Sequence, residues 1–548
     1  MSAARPIPAA PRLWLHLNGA MQVMDASGTS VLPRSRKARA VLAILALASP
    51  RPVPRVRITS LLWSQREREQ ARGSLRQCIH EIQGLLQKLG PGILEADREQ
   101  LRLAEEAIWI DIRETALGRT DGLTQDLAGL DPAFDAWLRA ESTWPEPPLP
   151  VRLAERGPRV GVRRLRVIGG PAEEAFAEGL AEEIAGALSR FRWMAAIAPS
   201  TLSAGPAEPE VEYLLDGTVR RQGERLRITL RVQDVRSSGE VIWSRNFDGT
   251  ADDAFGFQDA IVAQTAAQVD PELLLREGDR AVTQLAAGAR SATILTLASI
   301  PSIVRLDREA FDQAGRLLGE AVELAPDNAM AHCWFAYWHI MAIGQGWADG
   351  SVAMLARAER LAARAVMLDP SDGRALTVAG HFRGFLGRQT EEAIVLHERA
   401  LALNPSLTWA WMTLGLALSY QGEHREAIER IETARRLSPF DPHAFFVAVS
   451  LMLAHLMLGE YETATELGRL TAQLKPNFSS SWKGLLVGLG HLGRSEEAAA
   501  VRARLEAIEP GFSVAEAMER SPLRRAEDRE RYAAGLRLGG LREERPAD

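Results

Sequence analysis

Alanines at 358, 393, 427, 464 and 498 recur at intervals of 35, 34, 37 and 34 residues, and each is followed twelve residues on by a proline: Pro370, Pro405, Pro439, Pro476 and Pro510. Few features restrict a fold so strongly. A period of this length implies one two-helix unit repeated, because small residues let paired helices pack closely and proline, lacking an amide hydrogen, ends the second helix. Such a unit cannot bury its apolar face alone, so the units must stack. The clearest copy is WMTLGLALSYQGEHREAIERIETARRLSP, with Trp411, Leu414, Gly415, Ala427, Ala434 and Pro439 in pattern, and a degenerate copy ends at Pro326. The array is expected over residues 290–515, with a helical tail over 516–548.

This is the period of the tetratricopeptide repeat, whose superhelix offers a concave face to peptides, proteins or a neighbouring domain. A protein, peptide or effector partner on the repeats is the expectation. One stretch, YWHIMAIGQGWADG (337 to 350), is a long excursion between helices, open to two readings: an ordinary insertion, or one wall of an effector pocket.

At 548 residues, with 46% hydrophobic and 25% charged residues, the chain should hold about three soluble domains. Its longest apolar run, AVLAILALA at 40 to 48, is too short to span a bilayer, and no charged-then-apolar leader opens it. A cytoplasmic protein without membrane association is expected. Cys78 and Cys333 are the only cysteines, so neither a disulfide framework nor a C-x-x-C metal pair is available.

Net charge is −6, but residues 34 to 88 carry twelve Lys or Arg against Glu67, Glu69 and Glu81. That segment is +9 on a body of −15. Charge alone fits either a solvated basic face or a polyanion site, since neutralising phosphates releases their counterions. The local pattern bears on the choice. RLWLHLN (12 to 18) alternates like a strand, RKARAVLAILALA (36 to 48) reads as a helix, and RVRITSLLW as a second ending at Trp63. In the third helix Ala71, Leu75, Cys78, Ile79, Ile82, Leu85 and Leu86 form one apolar stripe. Turning that stripe to a core leaves Arg72, Arg76, Gln77, His80 and Gln83 outside. ILEADREQLRLA (93 to 104) then reads as a hairpin with Arg98 at its tip.

Over residues 10–112 this pattern resembles the response-regulator type of winged helix, in the version found in bacterial transcriptional activators of the antibiotic-regulatory-protein group. The match lies in R-K-A-R-A-V-L-A-I-L-A-L-A, the helix closing on L-L-W, and A-R-x-S-L-R-x-x-I-x-x-I with a hairpin after it. The resemblance implies a third helix in the major groove of duplex DNA and a wing on its backbone. It gives DNA-contacting roles to Arg72, Arg76, Gln77, His80 and Arg98, to Arg66 and Arg68 in the preceding connection, and to Arg36 and Lys37 at the start of the first helix. The 64–70 connection corresponds to a loop that touches DNA or RNA polymerase, and such proteins often use paired sites, so a homodimer is compatible. A winged helix that docks protein instead is the alternative. GLDPAFDAWLRAES (129 to 142) resembles the end of the helical activation domain that follows such a winged helix, here truncated to 113–142. A Pro-rich linker is expected over 143–158.

The middle changes period. RVGVRRLRVIGG (159 to 170) reads as a strand, residues 173–191 as a helix, WMAAIA as a strand, and 211–249 as three alternating strands; a helix from Ala254 to Val269 closes an α/β unit. E-G-L-A-E-E-I-x-x-A-L-S-R-F, L-L-D-G-T-V-R-R and R-I-T-L-R-V-Q-D resemble the TolB-like domain that accompanies bacterial cyclases and regulators, over residues 159–272. With the array, this half resembles the non-catalytic part of multidomain bacterial cyclase-like proteins.

No G-K-[ST], H-E-x-x-H or G-x-S-x-G occurs. Gly488, Gly490 and Gly493 spell G-x-G-x-x-G inside a repeat, without the preceding strand that a dinucleotide site needs. His332, Cys333 and His339 share one helix with Trp334, Phe335, Tyr337 and Trp338, which suits a packed core better than a metal site. The sequence therefore reads as a multidomain α+β chain: a winged helix-turn-helix, an α/β TolB-like domain, then an α-helical tetratricopeptide-repeat superhelix. The function expected is a DNA-binding transcriptional regulator, an activator by resemblance, with neither catalytic residues nor cofactor nor metal. The rival is a non-catalytic scaffold or signalling-accessory protein without DNA binding.

Overall fold

The computed structural model describes residues 12–17, 21–25, 29–49, 52–66, 68–97, 99–104, 107–110, 124–142, 157–168, 170–202, 210–250, 254–348 and 350–544. They fall into two compact units, Met1–Leu149 and Pro150–Asp548.

In the first unit the alternating leucines form β1 (Leu13–His16), antiparallel to β2 (Gln22–Asp25) and parallel to β6 (Ile108–Ile110). Ser35 accepts the amide of Ala38 and so starts α1 (Arg36–Ala48), which buries an unbroken run from Ala40 to Ala46. The short β3 (Val53–Pro54) leads into α2 (Arg55–Leu62), and α3 (Arg68–Leu86) follows. β4 (Leu94–Ala96) and β5 (Gln100–Leu103) make the expected hairpin, and β3 adds to its other side. The Asp97 carboxylate closes the turn by accepting the amides of Glu99 and Gln100. A last helix, α4 (Pro132–Ser142), puts Phe134 and Leu138 into the same core as Leu13, Ile44 and Leu75. The described part of the segment expected to be a separate activation-type piece therefore completes the first unit, because its apolar side chains have no other core; residues 111–123, and the expected linker except for Gly157 and Pro158, lie outside the described residues.

The second unit begins with a sheet in the order β12-β11-β10-β7-β9. Its strands are β7 (Arg159–Val162), β8 (Arg166–Ile168), β9 (Ala195–Ile197), β10 (Tyr213–Gln222), β11 (Arg225–Asp234) and β12 (Glu240–Thr250), with β8 also on β10 and α5 (Pro171–Leu188) packed on the sheet. The run 159–170, expected as one strand, is two, and both pair parallel with β10. The next helix corrects a boundary: α6 spans Ala254–Ala286, with Pro271 inside it, so neither Val269 nor residue 272 ends an element.

Six helix pairs follow: α7 (Ala292–Arg305) with α8 (Arg308–Leu324), α9 (Ala329–Gly344) with α10 (Val352–Leu368), and α11 (Gly373–His381, extended by a wide turn over Phe382–Leu386) with α12 (Thr390–Leu403). Then come α13 (Thr408–Gln421) with α14 (His424–Leu437), α15 (Ala444–Leu458) with α16 (Tyr461–Leu474), and α17 (Ser479–His491) with α18 (Ser495–Ile508). The five periodic alanines are buried in the second helices, and each proline stands two residues past a helix end. First helices such as α15 are buried nearly all round, so both of their sides are covered. One cover is α6: Asp270 accepts hydrogen bonds from Trp193 Nε1 (2.7 Å) and from Arg374 Nη2 (3.0 and 2.8 Å), tying sheet region, α6 and array together. The two domains expected over 159–272 and 290–515 thus form one compact body. The other cover is the tail, α19 (Val514–Arg520) and α20 (Ala526–Leu538).

Candidate functional site

Arg72, Arg76, Gln77 and His80 are all exposed on α3, opposite the buried stripe of Ala71, Leu75, Ile79 and Ile82. Spacing of four puts Arg72, Arg76 and His80 in one line along the helix, with Gln77 beside it. Among the described residues none of the four side chains has a hydrogen bond or an ion pair. Arg66 is exposed in the loop before α3, its guanidinium 3.5 Å from the Ser74 hydroxyl. Arg68 opens the helix; its side chain and Arg98 lie outside the described residues.

Arg36 and Lys37 are differently placed, with partners inside the first unit. Arg36 donates to the carbonyls of Asp126 (2.7 Å) and Ala128 (2.9 Å). Lys37 donates to the carbonyls of Leu62 and, at 2.8 Å, Leu130, and lies over the Trp63 ring. Burial lowers the pKa of this ammonium against the opposing pull of Asp131. Lys37 ties the end of α2 to the approach to α4 and Arg36 holds the turn at 126–128, long-range partners that helical spacing does not reveal.

Gly84 lies on the exposed face of α3, and a Cβ there would meet nothing within 4 Å. Packing does not require a glycine. Gly84→Ala is therefore expected to stabilise the first unit by about 1 kcal/mol, read as a higher urea midpoint; an unchanged or lower midpoint would contradict this account.

A second candidate lies in the repeat unit. Between the first helices of the pairs and the tail is a cavity of about 160 Å³. Phe385, Phe446, Phe478, Met341 and Met452 supply much of its wall, and Ala517, Arg520 and Pro522 of the tail close it. The tail is fastened across the carboxyl ends of successive first helices. Arg520 donates to the carbonyls of Ile343 (3.2 Å) and Gly344 (3.0 Å) at the end of α9, Arg524 to that of Arg388 (2.8 Å), and the Arg524 amide to Tyr420 of α13 (2.9 Å). Further along, His424 meets Asp528 (3.0 Å), Arg531 donates to the Met457 carbonyl of α15, and His491 of α17 donates to the Arg531 carbonyl (2.8 Å). Arg520, Arg524 and Arg531 sit where orphaned carbonyls and the helix dipole favour positive charge.

At one end of the cavity Lys483 lies 2.6 Å from Glu509, which also pairs with Arg520; Arg520 in turn is 3.1 Å from Glu516. Burial pulls Lys483 down to about 8 against the attraction of Glu509. Glu509 feels the same burial, but Lys483 and Arg520 outweigh it and hold it below the usual carboxylate range. His381, 4% exposed, also lines the cavity, and burial pulls it down to about 4. Tyr420 and Tyr532 line it too, with burial pushing both phenols up. Of these residues the sequence pointed only to 337–350, expected as an excursion between helices; Ile340, Met341 and Gly344 there belong to α9, and Gln345 follows it.

The other singled-out residues are structural. His332 bonds the Pro326 carbonyl (3.0 Å), His339 that of Phe335 (2.8 Å), and Cys333 is buried. Among the described residues no group of three or more His, Cys, Asp or Glu is placed to hold a metal. A Cβ at Gly490 would run into the carbonyl of Gly535, so this glycine of the G-x-G-x-x-G run lets α20 approach α17. Among the described residues no helix is long and apolar enough to cross a membrane.

No family model matches the chain. Over 214 residues it is 26% identical to "Putative adenylate cyclase 3" of Rhizobium meliloti (strain 1021), a stretch that covers 37% of this chain and 36% of that protein. The chain thus spans about a third of the length of the curated relative it matches. Similar solved structures include pilF of Pseudomonas aeruginosa, at 23% identity over 40% of this chain and 95% of that one (TM-score 0.28). Another is YrrB, a TPR protein with an unusual peptide-binding site, at 19% over 35% and 92% (TM-score 0.23). A thermophilic TPR protein in Thermus thermophilus matches at 17% over 36% and 91% (TM-score 0.26). Likeness at this level adds nothing to the six stacked helix pairs already described.

Proposed function

We propose that the chain is a DNA-binding transcriptional regulator in which a winged helix of the first unit reads duplex DNA and a tetratricopeptide-type array takes a protein or peptide partner. The observation that carries this reading is the bare polar face of α3. A major groove admits one α-helix, and there arginine suits guanine and glutamine suits adenine, while either holds phosphate. The four side chains on that face have no competing partner among the described residues, and the β4–β5 hairpin has the place of a wing. The loop before α3, with Arg66, is the part available to polymerase; activation rather than repression follows from the sequence resemblance alone. Neither a catalytic residue nor a cofactor belongs to this reading.

Capture of genomic fragments by full-length protein at two salt concentrations tests it. Affinity is expected to fall steeply with salt, by roughly 0.9 logarithmic units per logarithmic unit of salt for each phosphate neutralised. Arg72→Ala/Arg76→Ala should weaken binding at least tenfold and make that slope shallower by about two. If wild type captures no fragment even at low salt, a second reading takes its place: a non-catalytic scaffold whose first unit docks protein. The partial identity to a protein named as an adenylate cyclase favours that alternative, as does the protein-interaction character of helical repeats.

A further inference from the structure

We propose that the cavity beneath the tail is a binding site for a small uncharged aromatic molecule with a single hydroxylated ring, of the phenol class, and that its occupancy holds the tail in place. The proposal is independent of DNA binding. Size is the first argument: about 160 Å³ is close to the roughly 150 Å³ engineered cavity that takes up benzene. Wall chemistry is the second, since the edges and faces of Phe385, Phe446 and Phe478 and the thioethers of Met341 and Met452 favour a ring over a flexible chain.

Hydrogen bonding is the third. His381 and Tyr420 are 4% and 6% exposed, and neither side chain has a hydrogen-bond partner among the described residues. Tyr532, half-buried on the same cavity, has none either. All three line the cavity, so each is open to a donor or acceptor brought by an occupant. A hydroxyl, which both donates and accepts, answers a neutral imidazole and a phenol at once. Charge is the fourth argument. Lys483 and Arg520 are balanced by Glu509 and Glu516, so an anionic ligand would bring an uncompensated charge into an apolar space.

The coupling follows from the walls. Ala517, Arg520 and Pro522 belong to the tail, so a ligand that touches them binds the closed form better than one with the tail displaced.

Calorimetry on the full chain with 4-methylphenol, toluene and benzoate is the test. One equivalent of 4-methylphenol is expected to bind at least tenfold more tightly than toluene, and benzoate not at all. Tyr420→Phe/Tyr532→Phe, which keeps the volume and leaves His381 in place, should weaken 4-methylphenol at least threefold while leaving toluene unchanged. Val449→Trp, which fills the cavity, should abolish both. Bound 4-methylphenol should also slow amide exchange over residues 517–531. Absence of 4-methylphenol binding, tightest binding of benzoate, or unchanged affinity in the folded Tyr420→Phe/Tyr532→Phe variant would overturn the site; unchanged exchange in the tail would overturn the coupling.

Discussion

Arg374→Met is expected to lower the stability of the second unit by about 3–5 kcal/mol, the usual loss when one member of a buried ion pair is left without the other. Arg374 and Asp270 are 8% and 7% exposed, and Asp270 also takes the indole N–H of Trp193. Removing the guanidinium leaves a carboxylate in a nearly dry setting with one neutral donor. The pair bridges three parts of the unit, so the loss should appear in a single cooperative transition in urea, read by tryptophan fluorescence. Arg374→Met/Asp270→Leu should recover most of the loss, because paired charges replaced together by apolar groups are often neutral in effect. A single variant within 1 kcal/mol of wild type would show that water reaches the site, and that α6 is held by something else.

The second large effect is set by pH. Burial pulls His339 and His381 down to about 4 and His397 to about 3, and all three side chains lie inside the repeat array. The folded state therefore favours neutral imidazole, whereas the unfolded chain takes up protons below about 6.5. Stability is fully present above that value. It falls as pH drops from 6.5 towards the folded values, at about 1.4 kcal/mol per unit for each histidine. The three together should remove about 4 kcal/mol by pH 5.5. Thermal melts at pH 7.0 and 5.5 check this, with His397→Leu as the informative variant, because that ring rests against Gly380 and its Nε2 has no partner. Equal melting temperatures at the two values for wild type would contradict the burial of these rings. Should His397→Leu keep the full wild-type pH dependence, His397 would have no share in the effect.

The helix pairs were legible because their signal is local: an alanine that must be small and a proline that must end a helix lie twelve residues apart in the same unit. The stripe on α3 was legible for a similar reason, since its periodicity sorts core from surface without any knowledge of the core. Arg36 and Lys37 escaped such logic. They stand among basic residues as any DNA contact would, and only the folded course of residues 126–130 shows them occupied. The helix end expected at Val269 fails in another way, since α6 continues past it and through Pro271 to Ala286. The cavity was the least legible, because each helix pair gives it only a few side chains and its closing arginines find partners more than 100 residues away.

The clasp formed by the tail has an evolutionary corollary. Stacked repeats usually change length by duplicating or deleting whole units, since each touches only its neighbours. Here residues 520–531 reach carbonyls or side chains from Ile343 to His491 in fixed order. An additional pair inserted between α9 and α17 would put those partners out of register with the arginines. Repeat number in this chain is therefore constrained by the clasp, and homologues that keep the S-P-L-R-R-A-E-D-R-E-R segment are expected to differ in loops and surface residues while preserving the count of helix pairs it spans.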